Sequence, residues 1–159
     1  LYKLKTQRLA EAMTSVYKSL AHKHHVDTIE ISEEGATRIL SREGVEIPFD
    51  KSAGEDQLFA TSLLAALASV SGIKAPLVVD TPLGRLDSKQ RQNILSYWVS
   101  DVNRQVVLLS QDEEIDHEYY STVKPSILKS YLLDHQDIGG GVGKTFARED
   151  CYFGVMSNE

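Results

Sequence analysis

Early in the chain, Lys51-Ser52-Ala53-Gly54-Glu55-Asp56-Gln57 combines small side chains with the opening of a long apolar helical pattern. Ser52, Ala53 and Gly54 at a helix mouth leave backbone N–H groups and a hydroxyl open to an anion that larger side chains would exclude. Such a mouth suits a phosphate. Further on, Leu77-Val78-Val79 reads as a buried strand ending in Asp80, a carboxylate set where a strand leaves the core and placed to hold the water shell of a Mg²⁺ ion. An anion seat followed by a strand-end carboxylate points to nucleotide chemistry.

Other chemistry-bearing residues carry less. Ser52 and Glu55 also have the spacing of a capping box, a structural role that would contribute on the order of 1 kcal/mol and does not exclude phosphate binding. Gly139-Gly140-Gly141-Val142-Gly143-Lys144-Thr145 invites comparison with a phosphate-binding P-loop. Its leading glycine stands too close to Gly143-Lys144-Thr145, and no helical period follows to supply a dipole, so a hairpin loop is expected. His22, His24 and His25 do not share one helical face and read as a solvated helix end rather than a metal site. Cys151 has no internal partner for a disulfide, in keeping with a reducing cytoplasm.

The elements that must position these residues follow from periodicity. Leu4, Leu9, Met13, Val16, Tyr17 and Leu20 recur at helical steps, predicting an amphipathic helix over 1–25. Asp27–Ser32 and Ala36–Ser41 alternate about a Glu33-Glu34-Gly35 turn as a β-hairpin with Glu30, Glu33 and Glu34 in solvent, and Val45–Phe49 would add a short edge strand limited by Pro48. A helix runs from Glu55 to Ser71-Gly72, with Ser52 as its cap. A strand over Pro76–Asp80, buried on both faces, then turns through Thr81-Pro82-Leu83-Gly84 into a helix over Gln90–Val99 with Ile94, Leu95 and Trp98 inward. Gln105–Ser110 is the next strand. This β-α-β order implies parallel pairing, so Asp80 and Ser110 leave the same edge of the sheet, where ligands bind in such folds. Asp112–Val123 reads as a helix stopped by Lys124-Pro125, with two closing strands over Ser126–Leu133 and Cys151–Val155.

Asp80-Thr81-Pro82-Leu83-Gly84-Arg85-Leu86-Asp87 resembles the Walker B segment and D-loop of ABC-type ATPase heads, and Ser52-Ala53-Gly54-Glu55 resembles their signature motif. Val106-Val107-Leu108-Leu109-Ser110-Gln111-Asp112 is similar to the following strand and switch loop. The three motifs stand in the family's order across 1–133, and their wording most resembles DndD, the SMC-like ATPases of bacterial DNA phosphorothioation (DNA sulfur modification). The resemblance implies an α/β fold, the C-terminal half of an ABC/SMC-type P-loop NTPase head. It would comprise a parallel sheet core, flanking helices, a β-hairpin side sheet and a coiled-coil root over 1–26, with the lobe over 27–159. It implies ATP and Mg²⁺ as cofactors, with Asp80 orienting the metal. Ser52, Ala53, Gly54 and Glu55 would meet the γ-phosphate of ATP on a second head, and Asp87 would lie across that interface. Partners would be the N-terminal lobe carrying Walker A, a second head in a homodimer, other DNA sulfur modification proteins, and DNA through the full protein.

Two positions depart from the family. Thr81 stands where many relatives carry the Glu that polarises water, and Gln111 where the switch is often His. A hydroxyl is a poor base near neutral pH, and an amide carries no charge, so slow hydrolysis is expected. Asp112 and Glu113 are nearby carboxylates that read more simply as helix-start acids. Alternatives within the fold are a recombination and repair ATPase of the SMC/RecF type and a scaffold that clamps ATP without hydrolysing it.

At 159 residues, 42% hydrophobic and 25% charged, the chain is expected to form one ordinary soluble domain. Its net charge of −6 offers nucleic acid no general attraction. No apolar run approaches membrane-spanning length and no signal peptide is visible, so a cytoplasmic setting without membrane contact is expected. The opening Leu-Tyr-Lys-Leu lies inside a helical pattern, as expected of a piece of a longer protein.

Overall fold

The computed structural model describes residues 2–21, 25–48, 52–84, 86–100, 104–111 and 113–153. His22, His24, Phe49, Lys51, Arg85, Asp112 and Val155 lie outside the described residues. By its internal packing the chain divides into two units, Leu1–Ser110 and Gln111–Glu159.

The first unit opens with α1 (Tyr2–Leu20), which packs on β1 (Thr28–Ile31), α2 (Ala53–Val70) and α3 (Ser88–Val99). Met13, Tyr17 and Leu20 are its buried stripe, whereas Leu4 at the other end is 50% exposed. Polar bonds fix the same helix. Ile29 N–H donates to Thr14 Oγ1 at 2.9 Å, Lys18 pairs with Asp27 at 2.9 Å, and Asn93 Nδ2 donates to Leu20 O at 3.0 Å. The hairpin of β1 and β2 (Thr37–Leu40) forms in antiparallel register, Ile29 opposite Ile39, and Glu30, Glu33 and Glu34 are exposed as expected. Of the edge strand expected over Val45–Phe49, the described residues 45–48 show a single bridge, Leu40 with Glu46.

α2 begins at the expected cap and ends at Ser71 and Gly72, whose φ of 69° suits glycine. Its buried residues are Leu58, Thr61, Ser62, Ala65 and Ala66, one turn-spaced stripe of mostly small side chains that lets α1 approach closely. Ser62 Oγ satisfies itself on Leu58 O at 2.7 Å. Leu64, Leu67 and Val70 face outward.

β3 (Leu77–Asp80) and β4 (Val106–Leu109) pair in parallel, Leu77 with Val106 through Asp80 with Leu109, so their C-terminal ends share one edge. Burial on both faces does not hold: Val78 is 58% and Leu109 45% exposed. Leu77 and Val79 face inward, while Val78 and Asp80 occupy the opposite, uncovered face of this two-stranded sheet. Between the strands, α3 starts at an Asp87 cap and buries Ile94, Leu95 and Trp98, as the sequence predicts.

In the second unit the expected helix over Asp112–Val123 is shorter. Asp116 accepts from the N–H groups of Glu118 and Tyr119 and so starts α4 at His117, ending at Val123, and a 3₁₀ turn covers Lys124–Ser126. The closing strands also move. β5 is Tyr131–Asp137 and β6 is Gly143–Glu149, an antiparallel hairpin with Gly139, Gly140 and Gly141 at positive φ in its tip. Cys151–Phe153 is no strand: Cys151 is buried, Tyr152 stacks on Tyr120 and Phe153 on His117. Among the described residues no helix is long and apolar enough to cross a membrane.

Two outcomes follow for the first unit. Ile94→Ala should cost about 2–5 kcal/mol in denaturant unfolding, since Ile94 is fully buried and its truncation removes buried apolar contact and leaves a cavity. Burial raises the Tyr17 phenol above its ordinary value, and the Glu55 carboxylate adds to the effect. A group whose folded pKa is raised contributes fully below its unfolded value and loses that contribution as pH climbs through the folded one. Stability should therefore fall above about pH 10, and Tyr17→Phe should fall less steeply in urea titrations over the same range.

Candidate functional site

Ser52 is exposed at the mouth of α2, where a reciprocal box holds it. Glu55 N–H donates to Ser52 Oγ at 3.3 Å, and Glu55 Oε2 accepts from Ser52 N–H at 3.0 Å and from Ser52 Oγ at 3.2 Å. The N–H groups of Ala53 and Gly54 take no part in this box and lie in the first turn, where the helix dipole favours negative charge. Glu55 is itself occupied by capping, and Asp56 N–H already closes the first helical bond to Ser52 O at 3.0 Å. What remains for an anion is the hydroxyl, once turned from Glu55, and two backbone donors.

Asp80 ends β3 on the exposed face, with its carboxylate outside the packed core. Immediately after it the chain makes an unusual turn. Thr81 has φ of 46°, a region disfavoured for a β-branched residue and again for one that precedes proline. Such a conformation costs of order 1–3 kcal/mol and persists only where its surroundings over-determine it. They do so here: Thr81 N–H donates to Leu109 O at 2.8 Å, and Gln57 Nε2 donates to both Thr81 O and Pro82 O at 3.1 Å. Pro82, Leu83 and Leu86 are buried, which anchors the far side of the turn while Asp80 and Thr81 stay exposed.

Asp87 caps α3, its Oδ1 accepting from Gln90 N–H at 2.8 Å, so this exposed carboxylate already has a structural task. Gln111 falls in the second unit. It is exposed, its N–H reaches Glu114 Oε2 at 3.3 Å, and its carbonyl accepts from Glu114 N–H at 3.0 Å and Ile115 N–H at 3.2 Å. Lys144 and Thr145 lie within β6, with Lys144 Nζ 4.8 Å from the Phe146 ring centroid, so a strand and not a phosphate-cradling loop occupies that segment. His25 is exposed.

The structure thus brings the mouth of α2 and the tip of β3 into one bonded unit. Gln57, which sequence reasoning assigned no role, makes the link. Nothing in its local sequence signals this, because both of its partners are backbone groups far along the chain.

The donor set fits a magnesium nucleotide in character. Among the described residues no three His, Cys, Asp or Glu side chains cluster as a metal cage. A lone exposed carboxylate suits Mg²⁺, which keeps several waters and takes other ligands from phosphate oxygens.

No family model matches the chain, and no curated protein sequence matches it. Solved SMC structures do share its fold. One, from the structural biochemistry of ATP-driven dimerization and DNA-stimulated activation of SMC ATPases, has TM-score 0.64 at 12% identity, over 92% of this chain and 87% of that one. An Smc head bound to the C-winged helix domain of ScpA has TM-score 0.63 at 13% identity, over 92% of this chain and 44% of that one. An Smc head with an extended coiled coil, bound to the C-terminal domain of ScpA from Pyrococcus furiosus, has TM-score 0.59 at 12% identity, over 89% and 35%. This chain spans less than half the length of the latter two. Its fold is α/β, of the SMC ATPase head type, and its helices and small sheets fit the C-terminal lobe of such a head.

Proposed function

We propose that this chain is the C-terminal lobe of an SMC-like ATPase head that holds ATP and Mg²⁺ between two paired copies. The observation that carries this reading is the pairing of an exposed strand-end carboxylate, Asp80, with an exposed helix mouth at Ser52, on a fold of the SMC head type. Fold alone would not assign an activity.

Asp80 would orient the metal through its water shell. Ser52 and the Gly54 N–H would hydrogen-bond the γ-phosphate of ATP seated on the other copy, the Walker A loop coming from an N-terminal lobe of the same protein. ATP supplies the phosphoryl group that is transferred to water. Thr81 places a hydroxyl beside the metal-binding carboxylate, where it can orient water but scarcely deprotonate it. Gln111 can donate to a phosphate oxygen without adding charge. Positioning and electrostatics carry much of phosphoryl transfer, so slow turnover is the outcome we infer. Asp87 would sit across the interface while its carboxylate keeps its cap on α3.

The wording Ser52-Ala53-Gly54-Glu55 with Asp80-Thr81-Pro82-Leu83-Gly84-Arg85-Leu86-Asp87 supports a role in DNA phosphorothioation, alongside other DNA sulfur modification proteins in the cytoplasm. With a net charge of −6, this lobe would leave most DNA contact to the rest of the protein. A recombination and repair ATPase of the SMC/RecF type uses the same geometry. A clamp without hydrolysis is favoured by two positions, Thr81 in the place of a general base and Gln111 in the place of a switch histidine.

Ser52→Asp in the complete protein separates capping from phosphate binding. Aspartate caps a helix as well as serine does, but its charge repels a γ-phosphate. Sedimentation should show ATP-dependent dimerisation weakened by about tenfold or more, with ATP binding by single heads kept and thermal stability lowered only by the new carboxylate's contact with Glu55. Dimerisation at the parent's ATP concentration would remove the paired-head reading.

A further inference from the structure

Gln57 stands one turn into α2 from the Ser52 mouth, and its side-chain nitrogen lies 3.1 Å from each of two successive carbonyl oxygens, Thr81 O and Pro82 O. A carbonyl cannot donate, so the amide must present its NH₂ group there, and its two hydrogens match the two acceptors. The residue thus held is the one whose φ of 46° is least expected from its side chain. Its N–H is pinned by Leu109 O at 2.8 Å and its C=O by Gln57, so both of its backbone polar groups are held, each by a different element. Relaxation to negative φ would break one of these bonds and re-aim the Thr81 side chain beside Asp80.

We propose that Gln57 is a positioning residue, whose amide locks the Thr81–Pro82 turn so that the helix mouth at Ser52 and the strand tip at Asp80 and Thr81 move as one body. Contact with the γ-phosphate at Ser52 would then be felt at the Thr81 hydroxyl through a single side chain. Plain stabilisation does not need this geometry. The turn is already anchored by buried Pro82 and Leu83, whereas Gln57 grips the exposed side, where the orienting groups are. The consequence for turnover rests on the ATPase reading above, but the locking of the turn does not.

Gln57→Glu keeps the length of the side chain and replaces both donors with a charge that opposes the two carbonyls, and Gln57→Lys restores a donor. In the complete protein, hydrogen exchange across residues 78–84 should quicken by about tenfold in Gln57→Glu and return close to parent in Gln57→Lys. ATP turnover should follow the same order, kcat falling by about tenfold in Gln57→Glu with KM for ATP little changed. Unchanged exchange over 78–84 in Gln57→Glu, or a loss of kcat that Gln57→Lys shares in full, overturns the role. A parent protein that neither binds nor hydrolyses ATP would refute the ATPase reading instead, and the exchange rates would still decide whether Gln57 locks the turn.

Discussion

A threonine held at φ of 46° between an exposed aspartate and a buried proline is the constraint around which the first unit is arranged. β-Branched residues avoid that region, so the conformation must be imposed from outside. Three elements impose it: β4 through Leu109 O, α2 through Gln57, and the buried Pro82-Leu83 pair beneath. The same three contacts hold the turn that directly follows Asp80. Strain of this kind clusters at functional sites, and here it adjoins the one carboxylate that the strand carries to the sheet edge.

Helix packing supports the arrangement from the other side of α2. Ser62, Ala65 and Ala66 bring α1 near α2, and Met13, Tyr17 and Leu20 fill the space between. Arg104 Nη2 donates to Ala68 O at 3.1 Å and ties the approach to β4 to the same helix. The mouth of α2 is thus joined to the end of β3 by the Gln57 bonds, and the far part of the same helix to the start of β4 by Arg104.

Local chemistry was readable from the residues, and tertiary chemistry was not. The capping box of Ser52 with Glu55 forms as read, because it needs only a polar side chain, three residues of spacing and a helix to follow. The box of Asp87 with Gln90, which sequence reasoning did not single out, forms by the same rule. The inward set Ile94, Leu95 and Trp98 was legible for the same reason. α2 was harder, because leucines on both sides of the helix blur the period, and its buried stripe consists of small residues that carry little hydrophobic signal. β3 looks buried on both faces by composition, yet among the described residues the face that carries Val78 and Asp80 is left uncovered, and composition does not tell which face a neighbour will cover. At the end of the chain, Cys151-Tyr152-Phe153 has strand-like residues, but ring stacking with His117 and Tyr120 uses them instead, and β6 takes the preceding polar segment. The Gln57 bond joins residues 24 and 25 positions apart, which no window of helical or strand period can detect.

The central claim is that one copy's helix mouth and another copy's strand-end carboxylate enclose the same nucleotide. It is tested most directly by an experimental structure of the complete protein with a non-hydrolysable ATP analogue and Mg²⁺. The account predicts Ser52 Oγ and the Gly54 N–H at about 3 Å from the γ-phosphate of a nucleotide whose metal shell is held by the other copy's Asp80. A nucleotide whose γ-phosphate is met by neither Ser52 nor Gly54, or by both from the copy that also supplies Asp80, would contradict it.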